Sequence, residues 1–565
     1  MFKDCLVELN LKKERICFDL VNFLRMEKVD RISELPEPIL HCILSFLPFK
    51  QVAQTSVLSK RWEQAWRTYP ILEFDRTVLT GDLCRRFLPV DDKLKEIQKK
   101  KKRLFKYLEA ALLNRHCREM ISIKKFTIDM DFVGDPKFES FVDRCICYAV
   151  GSDVKELSLE FGYRRNRWFK LPQIVLCAGS IELLKLKACM LELLPRSSIQ
   201  LYSLKELFLS LVIVDDHMIA NLVSGCPLIE HLGLHSCQGF KSLDLSGLSR
   251  LKQLKVTRNF SLQRLNVDAL NIHLLAISWS SAPCEINVAS CKDIKDLSLN
   301  GIFLKDEWLC QLISRLSLLE VLSIFDCSEL RHVKISSPCL KELCLSNCRE
   351  LVELNIDAPN LRVFTYWGRV VSFSLNTLAL LKTELVLEYM SSDTQWFVKY
   401  TQFLAKFRSM SQVIHLRGTM GENITTRRRI QLPSPLSSIK HLSSKLDLNL
   451  RSRKNCKITK LVDDLLWISP HTKAVSIECG YSTKFSFEFQ FSYKKQLIYE
   501  GEFASCCKSH PISCWKQCME EVKLEIIIEN NQKGKNIKSY ILTGADILGQ
   551  ITALFVEVVY SGRSA

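Results

Sequence analysis

The chain has 565 residues, 47% of them hydrophobic and 25% charged, with only 19 glycines and 16 prolines. That balance excludes a collagen-like, mucin-like or largely disordered polypeptide, and at roughly 150 residues per domain the length implies about four domains or one long repeat array. Lys and Arg exceed Asp and Glu by 79 to 62, and the net charge of +17 suits acidic partners, RNA or nuclear import without selecting among them.

Residues 1–29 carry no clear hydrophobic period and read as an extension of unassigned function, with Met26 an alternative start to Met1. Lys3, Asp4 and Glu8 interrupt any apolar stretch of the kind a secretory signal needs. No window reaches the roughly 18 uncharged apolar residues of a membrane span, and Glu557 breaks the best C-terminal one. The 24 cysteines are therefore expected to be reduced thiols acting as small buried hydrophobes, in the cytoplasm or nucleus.

Residues 30–75 are densely helical. Leu35-Pro36-Glu37-Pro38 opens the first helix, where proline lacks only a hydrogen bond that would go unmade. Ile39, Leu40, Ile43, Leu44 and Leu47 then fall on one helical face. Pro48 ends that helix and begins a second with Val52, Ala53 and Val57; Ser59 caps a third carrying Arg61, Trp62 and Trp66. Three such short helices make a small core that commonly leans on a partner or a neighbouring domain.

Residues 76–125 read as a basic helical connector containing Lys99 to Arg103, which fits an import signal, a phosphate-binding patch or a solvated helix face. Residues 126–417 read as a leucine-rich-repeat solenoid. From Leu157/Leu159 to Phe364/Tyr366 an apolar-x-apolar pair recurs every 21 to 27 residues, inside the roughly 20–29 residue range of such repeats. Three residues beyond the second apolar position stands Cys189, Cys237, Asn259, Cys327 or Cys348, the slot whose side chain turns inward to satisfy backbone groups. Leu385/Leu387, Val413/Leu416 and Leu446/Leu448 fit degenerate repeats. Residues 418–460, polar and holding Pro433-Ser434-Pro435 and Arg427 to Arg429, read as a loop or insertion. In 461–565 the alternations Val475/Ile477, Phe485 to Phe491 and Leu524 to Ile528 predict strands; a helix is expected over 545–554 and a last strand over 554–558. This region is expected to cap the open end of the array.

The segment Asp30-Arg31-Ile32-Ser33-Glu34-Leu35-Pro36, with Ile39-Leu40, Ile43 to Pro48 and Ser56-Val57-Leu58-Ser59-Lys60-Arg61-Trp62, closely resembles an F-box of the plant F-box/leucine-rich-repeat family. Cys514-Trp515-Lys516 and Glu521 to Leu524 resemble the family's C-terminal unit (FBD) more weakly. The resemblance implies an α/β chain: a three-helix F-box, a leucine-rich-repeat solenoid and a mixed α/β C-terminal cap. It further implies a substrate receptor of an SCF-type cullin–RING ubiquitin ligase, docked on a Skp-family adaptor and through it on cullin and RING subunits. Carried onto this sequence, the adaptor-facing positions are Leu35, Pro36, Ile39, Leu40, Ile43, Leu44, Val57, Leu58, Arg61 and Trp62. An apolar helical face with an Arg and a Trp has the composition of an interface hot spot. The same residues equally suit the internal core of the three helices, and Leu44 and Trp62 are the ones that suit it best.

Other constellations are weaker. Cys506, Cys507, His510, Cys514 and Cys518 cluster, but the irregular spacing and the lack of a second distant pair favour plain thiols over zinc. The sequence contains no G-x-S-x-G, Walker-type loop, dinucleotide fingerprint or H-E-x-x-H. His217, His231 and His235 read as surface or turn residues, and Trp279, Tyr366 and Trp367 as packing rather than a small-molecule site. No cofactor, metal or membrane partner is expected. Lys185, Glu206, His231, Lys295 and Glu342, expected on exposed strand positions, mix charge signs, which favours a protein target over nucleic acid, since the latter would call for a one-signed basic stripe. A ligase-independent scaffold and a nucleic-acid-binding solenoid are the alternatives.

Overall fold

The computed structural model describes residues 32–74, 122–130, 136–162, 168–192, 198–278, 283–388, 402–403, 412–418, 441–446, 473–479, 483–493, 519–530, 534–543, 549–551 and 553–554. The described chain opens with α1 (Glu37–Leu44), α2 (Phe49–Gln54) and α3 (Lys60–Thr68), with a 3-10 turn at Thr55–Val57 between the last two. Pro36 and Pro48 sit at the N-caps of α1 and α2, where the missing N–H costs nothing. Ser59 caps α3, its side chain accepting from the Trp62 N–H. The first and third helices pack on each other, and Leu40 and Leu44 of α1 and Trp62, Ala65 and Trp66 of α3 are their buried residues. His41 crosses the gap, its Nε2 3.1 Å from both the Ala65 carbonyl and the Thr68 hydroxyl.

These three helices run straight into the sheet. After Tyr69-Pro70 comes β1 (Ile71–Phe74), parallel to β2 (Lys125–Met130), which in turn pairs with β3 (Glu156–Phe161) across α4 (Pro136–Gly151). Leu72 aligns with Phe126 and Leu157, and Phe74 with Ile128 and Leu159. The apolar pair thus occurs twice before the first one legible in the sequence. Those two escaped notice because phenylalanine replaces leucine and their spacing lies outside the repeat period. Phe49 packs edge-on to Trp66 at 5.3 Å and to Phe74 at 5.1 Å, and Phe74 to Phe126 at 5.7 Å, so the small helical core and the repeat core are one aromatic seam.

Residues 1–269 form one compact unit and 270–565 a second. In the first, β3 continues through β4 (Leu183–Lys187), β5 (Glu206–Ser210), β6 (His231–His235) and β7 (Gln253–Thr257), all parallel and in register. Each strand buries its two apolar residues and turns its odd positions to the open face. α5 (Asp216–Gly225) fills the turn after β5, with the Asp216 carboxylate accepting the Lys241 and Ser242 N–H groups of the back of the next repeat.

Just after seven of the strands, four in this unit and three in the next, the chain bends through a left-handed residue: Ala188, Leu211, Ser236, Arg258, Gly301, Asp326 and Asn347 all have φ between 51° and 62°. Only one is glycine, so the others hold the bend at a steric cost of about 1–2 kcal/mol that the following buried slot offsets. In that slot Cys189, Cys237, Asn259, Cys327 and Cys348 are all buried, as the sequence pattern predicts. Asn259 accepts the Cys237 N–H at 2.8 Å and donates to the Leu234 carbonyl at 2.9 Å. The Cys237 thiol donates to the Leu209 carbonyl and the Cys327 thiol to the Phe325 carbonyl.

The second unit repeats the plan with β8 (Leu274–Ser278), β9 (Asp296–Asn300), α6 (Asp306–Arg315), β10 (Val321–Phe325), β11 (Glu342–Ser346), β12 (Val363–Gly368) and β13 (Lys382–Glu388). A back sheet of His332–Ser336, Glu353–Asp357 and Ser372–Asn376 closes its other side. Asp306 repeats the Asp216 clasp on the Arg331 and His332 N–H groups. Parallel pairing continues through β14 (Gln412–Gly418), β15 (His441–Leu446) and β16 (Ala474–Cys479). The stretch 418–460, polar enough to read as a loop, therefore carries a strand. Backbone pairing on both sides satisfies its peptide groups, whatever its composition. Three antiparallel strands follow: β17 (Thr483–Tyr493), β18 (Met519–Asn530) and β19 (Gly534–Thr543), with Phe487, Phe489, Val522, Leu524 and Ile526 buried. Residues 549–551 and 553–554 are helical, within the expected helix; of the strand expected over 554–558, residue 554 is helical instead and 555–558 lie outside the described residues.

Candidate functional site: the outer face of the helices and the open face of the sheet

The ten positions that the resemblance assigns to adaptor contact divide sharply. Leu40 and Leu44 are fully buried and Trp62 nearly so, which makes them the core of the three helices and not its surface. For Leu40 this corrects the reading from sequence: α1 packs on α3 and buries Leu40 and Leu44, so that edge of its apolar stripe is spent inside the domain. Ile39 is 46% exposed, Leu58 66% and Val57 84%; Pro36 is exposed too, with Leu35, Ile43 and Arg61 half-buried. Two hydrogen bonds bring the 35–39 and 57–61 segments side by side: Ser33 Oγ to Ser59 Oγ at 3.1 Å, and the Arg61 guanidinium donating to the Leu35 carbonyl at 3.4 Å. Arg61 thus also positions the segment it was expected to flank. Phe46, 53% exposed just beyond α1, was missed in the sequence because it lies off the periodic stripe. Branched and aromatic side chains left in water beside one another mark an interaction surface.

On the open face of the first unit the residues fall in register into three rows. Glu73, Thr127, Ser158, Lys185, Phe208, Gly233 and Lys255 form the middle row from β1 to β7. Lys125, Glu156, Leu183, Glu206, His231 and Gln253 lie on one side of it and Asp129, Glu160, Lys187, Ser210, His235 and Thr257 on the other. Strands β1 to β3 present four carboxylates against Lys125, whereas β4 to β7 present three lysines and two histidines against Glu206. Burial and the nearby Arg258 push the His235 imidazole below its usual range, and its Nδ1 lies 2.8 Å from the Thr257 hydroxyl. His217 lies exposed on α5 against Asn221, away from this face.

Immediately before the strands runs a second charge pattern. Lys155, Glu182, Lys205, Glu230 and Lys252 occupy one position in five successive repeats with alternating sign, and Lys295, Glu320 and Lys341 do the same in the second unit. Lys295 therefore stands in this ladder and not on a strand's open face. Hydrogen bonds from Lys205, Lys252 and Lys341 hold the Glu182, Glu230 and Glu320 carboxyls below their ordinary range. Tyr366 is buried, its hydroxyl donating to the Arg369 carbonyl, while Trp367 is half-buried on β12. The basic run at 99–103, Arg427 to Arg429, Trp279 and the Cys506–Cys518 cluster lie outside the described residues.

Two domain models and several curated proteins match the chain. The leucine-rich-repeat domain model described as At1g61320/AtMIF1, LRR domain matches residues 112–286 and 272–416, and the F-box domain model matches 32–74. The F-box/LRR-repeat protein At5g02910 of Arabidopsis thaliana is 31% identical over 277 residues, 48% of this chain and 54% of its own. F-box/LRR-repeat protein 25 of the same plant is 30% identical over 260 residues, 45% of this chain and 88% of its own. The F-box/FBD/LRR-repeat protein At3g26920 is 33% identical over 207 residues, 36% of this chain and 42% of its own. The chain spans about half the length of the first two curated relatives it matches.

Proposed function

Because the chain belongs to the plant F-box/LRR-repeat family, combining an F-box with a leucine-rich-repeat domain, we propose that it is the target-recognition subunit of an SCF-type cullin–RING ubiquitin ligase. Its F-box docks a Skp-family adaptor, and through it cullin and RING subunits; its repeats hold the protein to be ubiquitinated. The observation that carries the reading is the paired exposure of Ile39 and Leu58 on segments tied together by Ser33–Ser59 and Arg61–Leu35. A docking face needs apolar side chains that the domain does not cover itself. The chain's contribution is proximity: holding the acceptor lysine near a carrier bound elsewhere in the assembly, with no chemistry of its own. Thiol-filled repeat slots suit a reducing compartment, cytoplasm or nucleus.

The nucleic-acid reading calls for cations aligned along the repeats. The position that aligns them best, Lys155 to Lys252, alternates with glutamate at every step. That pattern supports a protein target instead.

The test is capture of a Skp-family adaptor by the purified full chain, beside a variant with Ile39→Asp and Leu58→Asp. Both side chains are exposed, so the variant folds, while two carboxylates desolvated in an apolar interface cost several kcal/mol, enough to abolish a micromolar contact. Leu40→Asp is unsuitable because it buries a charge in the helical core. Capture by the native chain and its loss in the folded variant is the expected result. A folded native chain that captures no adaptor overturns the ligase reading.

A further inference from the structure

Resting on the reading that the repeats hold a target protein, we propose that strands β4 to β7 recognise an extended acidic segment of that target, with an aromatic side chain seated on Phe208 between Lys185 and Lys255. The seat is built into the sheet. Phe208 aligns with Gly233 on the neighbouring strand, and its ring occupies the space a side chain there would need: a Cβ on Gly233 would lie 2.7 Å from the ring. Glycine in a strand interior weakens it and has no local turn to make here; what it permits is the ring lying over the next strand. The ring stays half-exposed in the middle row.

Two cations bracket it. The Lys185 ammonium, aligned with Phe208 from the preceding strand, lies 5.4 Å from the ring centroid. Lys255 aligns with Gly233 from the following strand. Both are exposed and neither has a carboxylate partner among the described residues, whereas Lys125 and Lys187 on the same face are taken by Glu73 and Glu160. An aromatic platform in one row with two ammonium groups that no carboxylate neutralises, one of them resting against the ring, fits an apolar or aromatic residue with acidic residues on either side. Charge complementarity also sets limits: on β1 to β3 the carboxylates outnumber the ammonium groups, with Glu73 already on Lys125 and Glu160 on Lys187, so that end offers an acidic segment no cation and confines it to β4 to β7.

The test uses the full chain and fluorescein-labelled peptides of sequence Glu-Glu-Trp-Glu-Glu, Glu-Glu-Ala-Glu-Glu and Lys-Lys-Trp-Lys-Lys, with an oligouridylate as a fourth probe, read by anisotropy at low salt. Saturable binding of the first peptide is expected, weakened about tenfold by loss of its tryptophan and more than tenfold in a K185E/K255E variant. Gly233→Val keeps both charges but displaces the ring, so in it the tryptophan and alanine peptides should bind alike. Each variant is first checked for native melting and adaptor capture. The inference is overturned if the acidic peptide does not saturate by about 1 mM, if the basic peptide binds as well, or if the oligouridylate binds more tightly at the same residues. A chain that captures the adaptor but not the peptide defeats this inference alone; one that captures no adaptor defeats the ligase reading.

Discussion

Asn259 shows how much one side chain carries in a fold whose turns are buried. Its amide meets the Cys237 N–H on one side and the Leu234 carbonyl on the other, at 1% exposure. Asn259→Ala leaves both groups unsatisfied in the interior and should cost about 2–3 kcal/mol. Asn259→Cys, which installs the residue found at this slot in neighbouring repeats, should recover a good part of that. Denaturant midpoints of the three proteins decide it; equal losses in Ala and Cys would make the slot a packing position only. The cysteine slots carry a second expectation. Burial pushes the Cys237 and Cys348 thiols up to about 11 and Cys327 up to about 12, so they stay protonated and unreactive at neutral pH. Mass spectrometry after brief alkylation should find, among the described cysteines, Cys42, Cys147, Cys177 and Cys310, all exposed, modified before those in the slots. Early modification of Cys237 in the folded chain would contradict its place in the slot.

At the scale of the element, the leucine pairs made the strands legible because each unit buries the same two positions, and all ten pairs read from sequence are at most 4% exposed. What the period could not show was anything set by neighbours in space. The strand at 71–74 belongs to the sheet through pairing with residues some fifty positions away, and the strand at 441–446 through pairing on both sides. Among the adaptor positions, helical periodicity found the stripe but could not say which edge of it faces α3. The left-handed bends were hidden too, since Leu211 and Arg258 carry no glycine signature. The Lys/Glu ladder is likewise visible only once the repeats are aligned, and it has a testable pH dependence. Glu182, Glu230 and Glu320 have carboxyls held low in the folded state, so their contribution is complete above the ordinary glutamate range, near 4.3. It is lost as the pH falls through that range toward the lowered folded values. Melting temperature measured from pH 6 to 3 should fall less steeply for Glu230→Gln than for the native chain, and the difference should vanish in about 1 M salt, where exposed pairs are screened. A difference that survives high salt would rule out an exposed ion-pair ladder as its source.

For the molecule as a whole, the consequential feature is that the F-box helices are continuous with the first unit of repeats. Phe49, Trp66, Phe74 and Phe126 form an unbroken aromatic seam from α2 to β2, and the Lys124 and Lys125 N–H groups donate to the Pro70 carbonyl between helix and strand. A helical domain of some forty residues buries too little to be stable alone, and this seam supplies the rest of its core. A target seated on β4 to β7 would then be held in the same compact unit as the proposed docking face, as the proposed role of presenting a lysine in a restricted volume requires. Phe74→Ala tests the coupling, because Phe74 is 1% exposed and touches no proposed partner. Removing its ring should cost about 3–5 kcal/mol and fall most heavily on the helices. Hydrogen exchange read by mass spectrometry should show amides of residues 37–68 exchanging faster, those of 206–257 nearly unchanged, and adaptor capture weakened although every residue of the docking face is intact. Phe208→Ala should do the reverse, sparing adaptor capture. If exchange in 37–68 proves indifferent to Phe74, the helices fold independently and the seam is only a contact between two self-sufficient parts.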